Sequence, residues 1–110
     1  MKIEQEASGD ILILRVSGKL DTYTSGDFEK HLLSSIDEGN KKILVDFSLL
    51  DYISSAGLRS LLLAAKKIKT SGGRIVLSQL KEHIKDVFQI SGFTAIFPLF
   101  NSNEEARSGF

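Results

Sequence analysis

Apolar residues fall along this chain in short dense runs separated by stretches of helical spacing. From Ile11, ILILRVSG packs aliphatic and β-branched side chains almost without a break and stops at Gly18, which predicts a buried strand. Ser8, Gly9 and Asp10 supply a turn from a shorter first strand, so the chain should open as a hairpin. KILVDF, with its apolar run from Ile43 to Phe47, is a second buried-strand signal, and RIVLS from Arg74 is another. AIFPLF reads as a short last strand, where Pro98, lacking an N–H, favours an edge or a strand end.

Between these runs the period changes. Phe28, Leu32 and Ile36 make a helical stripe that Gly39 ends; Thr24 is suited to cap it, Asp27 stands in its first turn, and Tyr23 is placed to staple onto Phe28. SSAGLRSLLLAAKKIKT carries Leu58, Leu61, Leu62 and Ala65 on one face before Gly72 and Gly73, with SLLDYI before it read as a loop. Leu80, Ile84, Val87 and Phe88 repeat at helical spacing up to a capping glycine, Gly92. Ser102 and Glu105 have the spacing of a capping box, which predicts the first turn of a final helix. The order β-β-α-β-α-β-α-β(-α) defines an α/β fold, with right-handed crossovers onto a largely parallel sheet that the first hairpin makes mixed. No repeat, linker or low-complexity tract interrupts it, so residues 1–110 are read as one domain.

Composition narrows the function. Of 110 residues, 42% are hydrophobic and 25% charged, ordinary values for a chain that folds around one core. Fourteen Lys plus Arg balance fourteen Asp plus Glu, which argues against direct nucleic-acid binding because that needs a basic patch. The absence of cysteine removes disulfides and thiolate chemistry. MKIEQEASGD lacks the apolar region of a signal peptide and no later run approaches a membrane span, so a cytoplasmic protein without membrane insertion is expected.

In a sheet of this type ligands and partners meet the loops beyond the carboxyl ends of the strands, here SGKLDTYTS, SLLDYISSAG and SQLKEH. Enzyme readings fail there on missing parts. Ser55-Ala56-Gly57 supplies the second half of a hydrolase elbow, but Ile53 stands where its first glycine belongs. His31 and His83 have no acidic residue placed to orient them and no metal-ligand spacing, so they read as surface histidines. No Walker loop or Gly-x-Gly-x-x-Gly occurs; no cofactor or metal is implied and no enzyme is expected. Asp46 lacks the acidic pair and lysine that a phosphoaspartyl receiver would need, and reads as a strand-end carboxylate bonded to loop amides. Ser55 reads as the N-cap of its helix, bonding the N–H of Gly57 or Leu58. The same free N–H groups and positive helix end would also tolerate a phosphoryl group, and the residues alone leave both roles open.

VDFSLLDYISSAGLRSLL resembles the signature of STAS domains, in particular bacterial anti-sigma factor antagonists, and SGKLDTYTS resembles the same family's Gly-x-Leu-Asp segment. The resemblance spans essentially the whole chain. It implies a protein that, unphosphorylated, binds a cognate anti-sigma factor and so frees a sigma factor. A serine at the helix start would be phosphorylated by that anti-sigma factor, itself a serine kinase, and a phosphatase would reverse this. Anchored on Gly57-Leu58, the acceptor matches Ser55, with Ser54 a second candidate standing where well-known members have aspartate. Asp21, Thr22, Ser54, Ser55, Ala56, Gly57, Leu58 and Arg59 are the implied partner-binding residues, Arg59 replacing a position often small in the family. ATP would be met in the partner's site. A rival within the family is a docking subunit of a lipid-transporter or sensory-scaffold assembly, in which the serine only caps. Oligomeric state is left open.

Overall fold

The computed structural model describes residues 1–110 as five strands and four helices. The strands are β1 (Lys2–Ser8), β2 (Ile11–Leu20), β3 (Lys42–Ile53), β4 (Arg74–Ser78) and β5 (Leu99–Phe100), in the sheet order β1-β2-β3-β4-β5. β1 runs antiparallel to β2, and every later neighbour pair is parallel, giving the mixed α/β sheet expected. The helices are α1 (Ser25–Asp37), α2 (Ser55–Thr70), α3 (Glu82–Ile90) and α4 (Asn103–Arg107).

Strand neighbours that are also sequence neighbours require every crossover to rise on the same side, and the core shows the result. Phe28, Leu32 and Ile36 of α1, Leu58, Leu61, Ala64 and Ile68 of α2, and Ile84 and Phe88 of α3 share one apolar cluster. The sheet contributes alternate residues to it, among them Leu12, Leu14, Val45, Phe47 and Leu77. Rings pass through it in sequence: Phe28 against Phe47 at 6.5 Å, Phe47 against Phe88 at 6.4 Å, and Phe88 edge-on to Phe93 at 6.1 Å and Phe97 at 6.5 Å. The intervening strand residues, Ile11, Ile13, Leu44 and Val76, face the other way and are covered by Ala106 of α4 with Phe100 and Phe110. ILIL thus carries no polar alternation because both faces of the sheet are buried.

β1 and β5 form the edges. β1 keeps only Ile3 against the core and turns Lys2, Glu4 and Glu6 to solvent, which discourages pairing with another chain. Gly39 and Gly92 follow the last turns of α1 and α3 with φ of 98° and 75°, a left-handed conformation that ends both helices.

Three local expectations are corrected. SLLDYI is strand rather than loop: β3 continues past the end of β4 to Ile53 because β2 still pairs with it, through register shifts near Ser17 and Lys19. AIFPLF holds only a two-residue strand, Phe93–Ala95 before it being a 3₁₀ turn, with the Pro98 carbonyl accepting from Leu77 N–H at 3.1 Å. At α1, Tyr23 is 93% exposed and staples nothing, and the Thr24 hydroxyl does not cap the helix but donates to the Lys19 carbonyl at 2.8 Å. The final helix does form, with the Ser102 hydroxyl accepting from Glu105 N–H at 3.1 Å.

Candidate functional site

The parallel register places Leu20 opposite Ile53, so β2 and β3 end side by side and the helices that follow them start side by side. Ser54 N–H donates to the Leu20 carbonyl at 2.8 Å, which fastens the start of α2 to the end of β2. Gly57 is buried against this joint: a Cβ there would stand 3.0 Å from Ile53 Cγ1 and 3.2 Å from the Leu20 carbonyl oxygen. The two helices are held together farther in by Ser60, whose buried hydroxyl lies 3.1 Å from the Ser25 carbonyl and 3.2 Å from that of Ala56. What remains between their N-terminal turns is an open groove of about 540 Å³ lined by Ser25, Gly26, Glu29, Ser55, Ala56, Arg59, Ser60 and Leu63.

The paired serines divide the work differently from the sequence expectation. Ser54 is the N-cap: its backbone is extended, at ψ 171°, and its hydroxyl accepts from Gly57 N–H at 3.2 Å. Ser55 is instead the first helical residue, exposed, lining the groove, and its hydroxyl is bonded to nothing in the protein. The reason is the Leu20–Ser54 bond, which holds Ser54 just outside the helix and leaves the next residue to begin it. The backbone N–H groups of Ser55 and Ala56 have no acceptor. Arg59, four residues on, projects from the same face, is exposed and forms no ion pair. Accordingly, Ser54→Ala should cost about 1 kcal/mol in urea or thermal unfolding while Ser55→Ala stays within about 0.5 kcal/mol of the parent; the opposite ranking would return the cap to Ser55.

Asp21 and Thr22 sit at the adjoining turn into α1. One Asp21 carboxylate oxygen accepts from Tyr23 N–H at 2.9 Å and Thr24 N–H at 3.1 Å, an Asx-type turn. Partial desolvation works against its charge, but these two N–H donors, with the Thr24 hydroxyl and Lys19, outweigh it and hold the carboxyl below its ordinary range. Thr22 is exposed, as is Tyr23 beside it. Of the other residues expected to meet a partner, Ala56 and Arg59 line the groove, whereas Gly57 and Leu58 are buried and support it from beneath. Sequence reasoning missed Ser25, Gly26, Glu29, Ser60 and Leu63. The signal was a set of small residues, Ser25-Gly26 and Ser60, that lets two helix ends approach closely.

Asp46 is not at a strand end. It lies within β3 on the face that α4 covers, is 1% exposed, and collects four donors. Ser48 N–H donates at 2.9 Å to one oxygen; Asn103 Nδ2 at 3.0 Å, Arg15 Nε at 3.3 Å and Gln79 Nε2 at 3.3 Å donate to the other. Burial raises its pKa, but these bonds prevail and leave the carboxyl below the usual range. Its role as a hydrogen-bonded structural carboxylate stands, although most of its partners are side chains rather than loop amides. The histidines are engaged at the surface, His31 with the Gln5 side chain at 3.0 Å and His83 with the Asp51 carbonyl at 2.6 Å; neither is hydrogen-bonded to a serine. No helix is long and apolar enough to cross a membrane.

A mixed sheet in this order, with three helices on one face and a helix-start serine beside the β2–α1 turn, defines a STAS-type domain. The chain belongs to that family: the STAS domain model matches residues 2–106. Among similar proteins is BtrV of Bordetella bronchiseptica, a candidate anti-sigma factor antagonist, 40% identical over 110 residues, which are 100% of this chain and 95% of that protein. In shape the chain resembles a candidate anti-sigma factor antagonist from Thermotoga maritima, with a TM-score of 0.92 at 22% identity over 97% of this chain and 92% of the other. It also resembles the anti-sigma factor antagonist SpoIIAA of Bacillus in its unphosphorylated form, with a TM-score of 0.82 at 22% identity over 96% and 92% of the two chains.

Proposed function

We propose that this protein is an anti-sigma factor antagonist that binds its cognate anti-sigma factor through the paired N-terminal turns of α1 and α2 and is switched off when Ser55 is phosphorylated. The observation that carries the reading is the division of labour between the serines. Ser54 is committed to the cap, while Ser55 offers an exposed hydroxyl whose removal or modification breaks no bond in the fold. In the transfer, Ser55 Oγ would attack the γ-phosphorus of ATP held by an anti-sigma factor with serine kinase activity. The bond to the ADP oxygen breaks, and the hydroxyl proton passes to a base on the kinase. A phosphatase would restore the hydroxyl.

The phosphoryl group would sit at the positive end of a sixteen-residue helix, next to open N–H groups and one helical turn from Arg59, so the helix tolerates it. A partner surface that had packed against a neutral hydroxyl would instead meet a charge of about −1.5 to −2. A hundredfold loss of affinity requires only about 2.7 kcal/mol, which desolvation and repulsion of a dianion can supply without refolding.

The test is to incubate the protein with its cognate anti-sigma factor and Mg-ATP, map phosphoserine by peptide mass spectrometry, and measure binding by calorimetry. Ser54→Ala should still be modified and Ser55→Ala should not. Ser55→Ala should bind like the parent, and Ser55→Glu should bind about a hundredfold more weakly. Equal binding by the two Ser55 variants, with no modification of the parent, would leave a docking domain without a switch.

A further inference from the structure

A second surface lies toward the far end of α2, about 15–20 Å along the helix from Ser55. There α2, the start of β4 and the segment around the 3₁₀ turn enclose a groove of about 590 Å³. Its floor is apolar: Ile68, Ile75 and Phe97 are buried beneath it, and Ile96, 47% exposed, stands at its mouth. Its charged lining is of one sign. Lys66, Lys69 and Arg74 line it, no carboxylate does, and none of the three forms an ion pair.

The macrodipole of α2 accounts for lysines near its C-terminus, and Lys67, paired with Asp37 at 2.7 Å, serves that end as well. It does not account for Arg74, which comes from β4 and brings a third unpaired cation to the same groove. Along α2, Leu62, Ala65, Lys66 and Lys69 follow i, i+3, i+4, i+7 spacing. The sequence placed Leu62 and Ala65 on one face with Leu58 and Leu61; in the structure they are half-buried at the border of that face, Ala65 still packing on the core, and the row they begin is of the kind a partner helix packs against as ridge into groove.

We propose that this groove docks an amphipathic helix of a protein partner, with aliphatic anchors against Leu62, Ile96 and Phe97 and carboxylates opposite Lys66, Lys69 and Arg74. An apolar floor selects for anchors at helical spacing, and the cations select for an acidic partner and steer its approach. The surface is separate from the Ser55 groove, sharing no lining residue with it, so the two can be occupied and can fail independently.

The test uses a fluorescein-labelled model peptide about four turns long, with Leu at i, i+3, i+4 and i+7 and Glu elsewhere. It is titrated into the full chain by fluorescence anisotropy and mapped by amide chemical shifts. Saturable binding is expected, with shifts confined to Leu62–Lys69, Arg74–Ile75 and Ala95–Phe97. The double variant Lys66→Glu, Arg74→Glu should weaken it about tenfold or more, whereas the double variant Lys2→Glu, Lys30→Glu, an equal charge change at residues that do not line the groove, should not. Circular dichroism would confirm that the variants are folded. A peptide with Lys in place of Glu that binds equally well, or shifts that fall elsewhere, would overturn the proposal. So would no binding of the acidic peptide, with decanoate occupying the groove instead. Concentration-dependent dimerisation that shifts the same amides and excludes the peptide would assign the groove to a second copy.

Discussion

Truncating Phe88 to alanine should lower the stability of the domain by about 3–5 kcal/mol, measured by urea unfolding. Its ring is fully buried and lies between Phe47 of the sheet on one side and Phe93 and Phe97 on the other, at centroid distances of 6.1 to 6.5 Å. Phe47, held in β3, and Phe97, itself buried, are not free to collapse into the space, and only the half-buried Phe93 has room to shift toward it. A domain of this size has a total stability on the order of 5–15 kcal/mol, so the loss is a large fraction of it. The effect should be uneven. The 3₁₀ turn touches the core through Phe93 and Phe97, and amide exchange at Phe93–Phe97 should rise more than in β2 and β3. A loss below about 1 kcal/mol would mean that the neighbouring side chains collapse into the space the ring leaves.

Replacing Asp46 by alanine should cost about 2–4 kcal/mol, because it strands donors rather than removing one bond. Asn103 and Gln79 lose their carboxylate acceptor, and so does Ser48 N–H; Arg15, with its side chain 35% exposed, can recover water and keeps the figure below that of a fully buried pair. Asn103 begins α4 and also accepts from the Ser78 hydroxyl, so the lost anchor loosens the cover over Ile11, Ile13, Leu44 and Val76. Asp46→Asn keeps the shape but turns an NH2 toward donors in either orientation, and should cost part of the same energy.

The pH dependence separates charge from shape. The folded-state pKa of Asp46 lies below its unfolded value, so its stabilising contribution is complete above about pH 4–5 and is lost as pH falls through the folded value. Asp10 and Asp51, drawn down by Lys42 and Lys81, and Asp21 lose theirs over the same acid range. The parent and Asp46→Asn should therefore converge in stability on acidification below about pH 4 while both become less stable. A constant difference from pH 7 to pH 3 would show that the carboxylate charge contributes nothing to the network.

Much of the architecture was written in local pattern. The stripe Phe28, Leu32, Ile36 and the stripe Leu58, Leu61 needed only helical periodicity, and Gly39 and Gly92 mark the helix ends where left-handed backbone is required. The parallel order followed from alternation of strands and helices alone. The candidate site was legible as a place, since the β2–α1 turn and the start of α2 must meet if β2 and β3 are adjacent and parallel.

What stayed hidden depended on partners distant in sequence. SLLDYI has Leu49, Asp51 and Tyr52 exposed and shows no strand alternation, because β2 alone extends β3 through a shifted register. Asp46 read as a strand-end carboxylate bonded to loop amides because three of its donors come from Arg15, Gln79 and Asn103, residues that only the folded sheet brings together. The serines make the sharpest case. The sequence by itself determined that a serine would cap α2, but the local pattern gave the cap to Ser55 and so named the wrong one of two adjacent serines. Which one does so was decided by the tertiary bond from Ser54 N–H to the Leu20 carbonyl, 34 residues earlier, which sets the backbone one residue before the helix and leaves the Ser55 hydroxyl free.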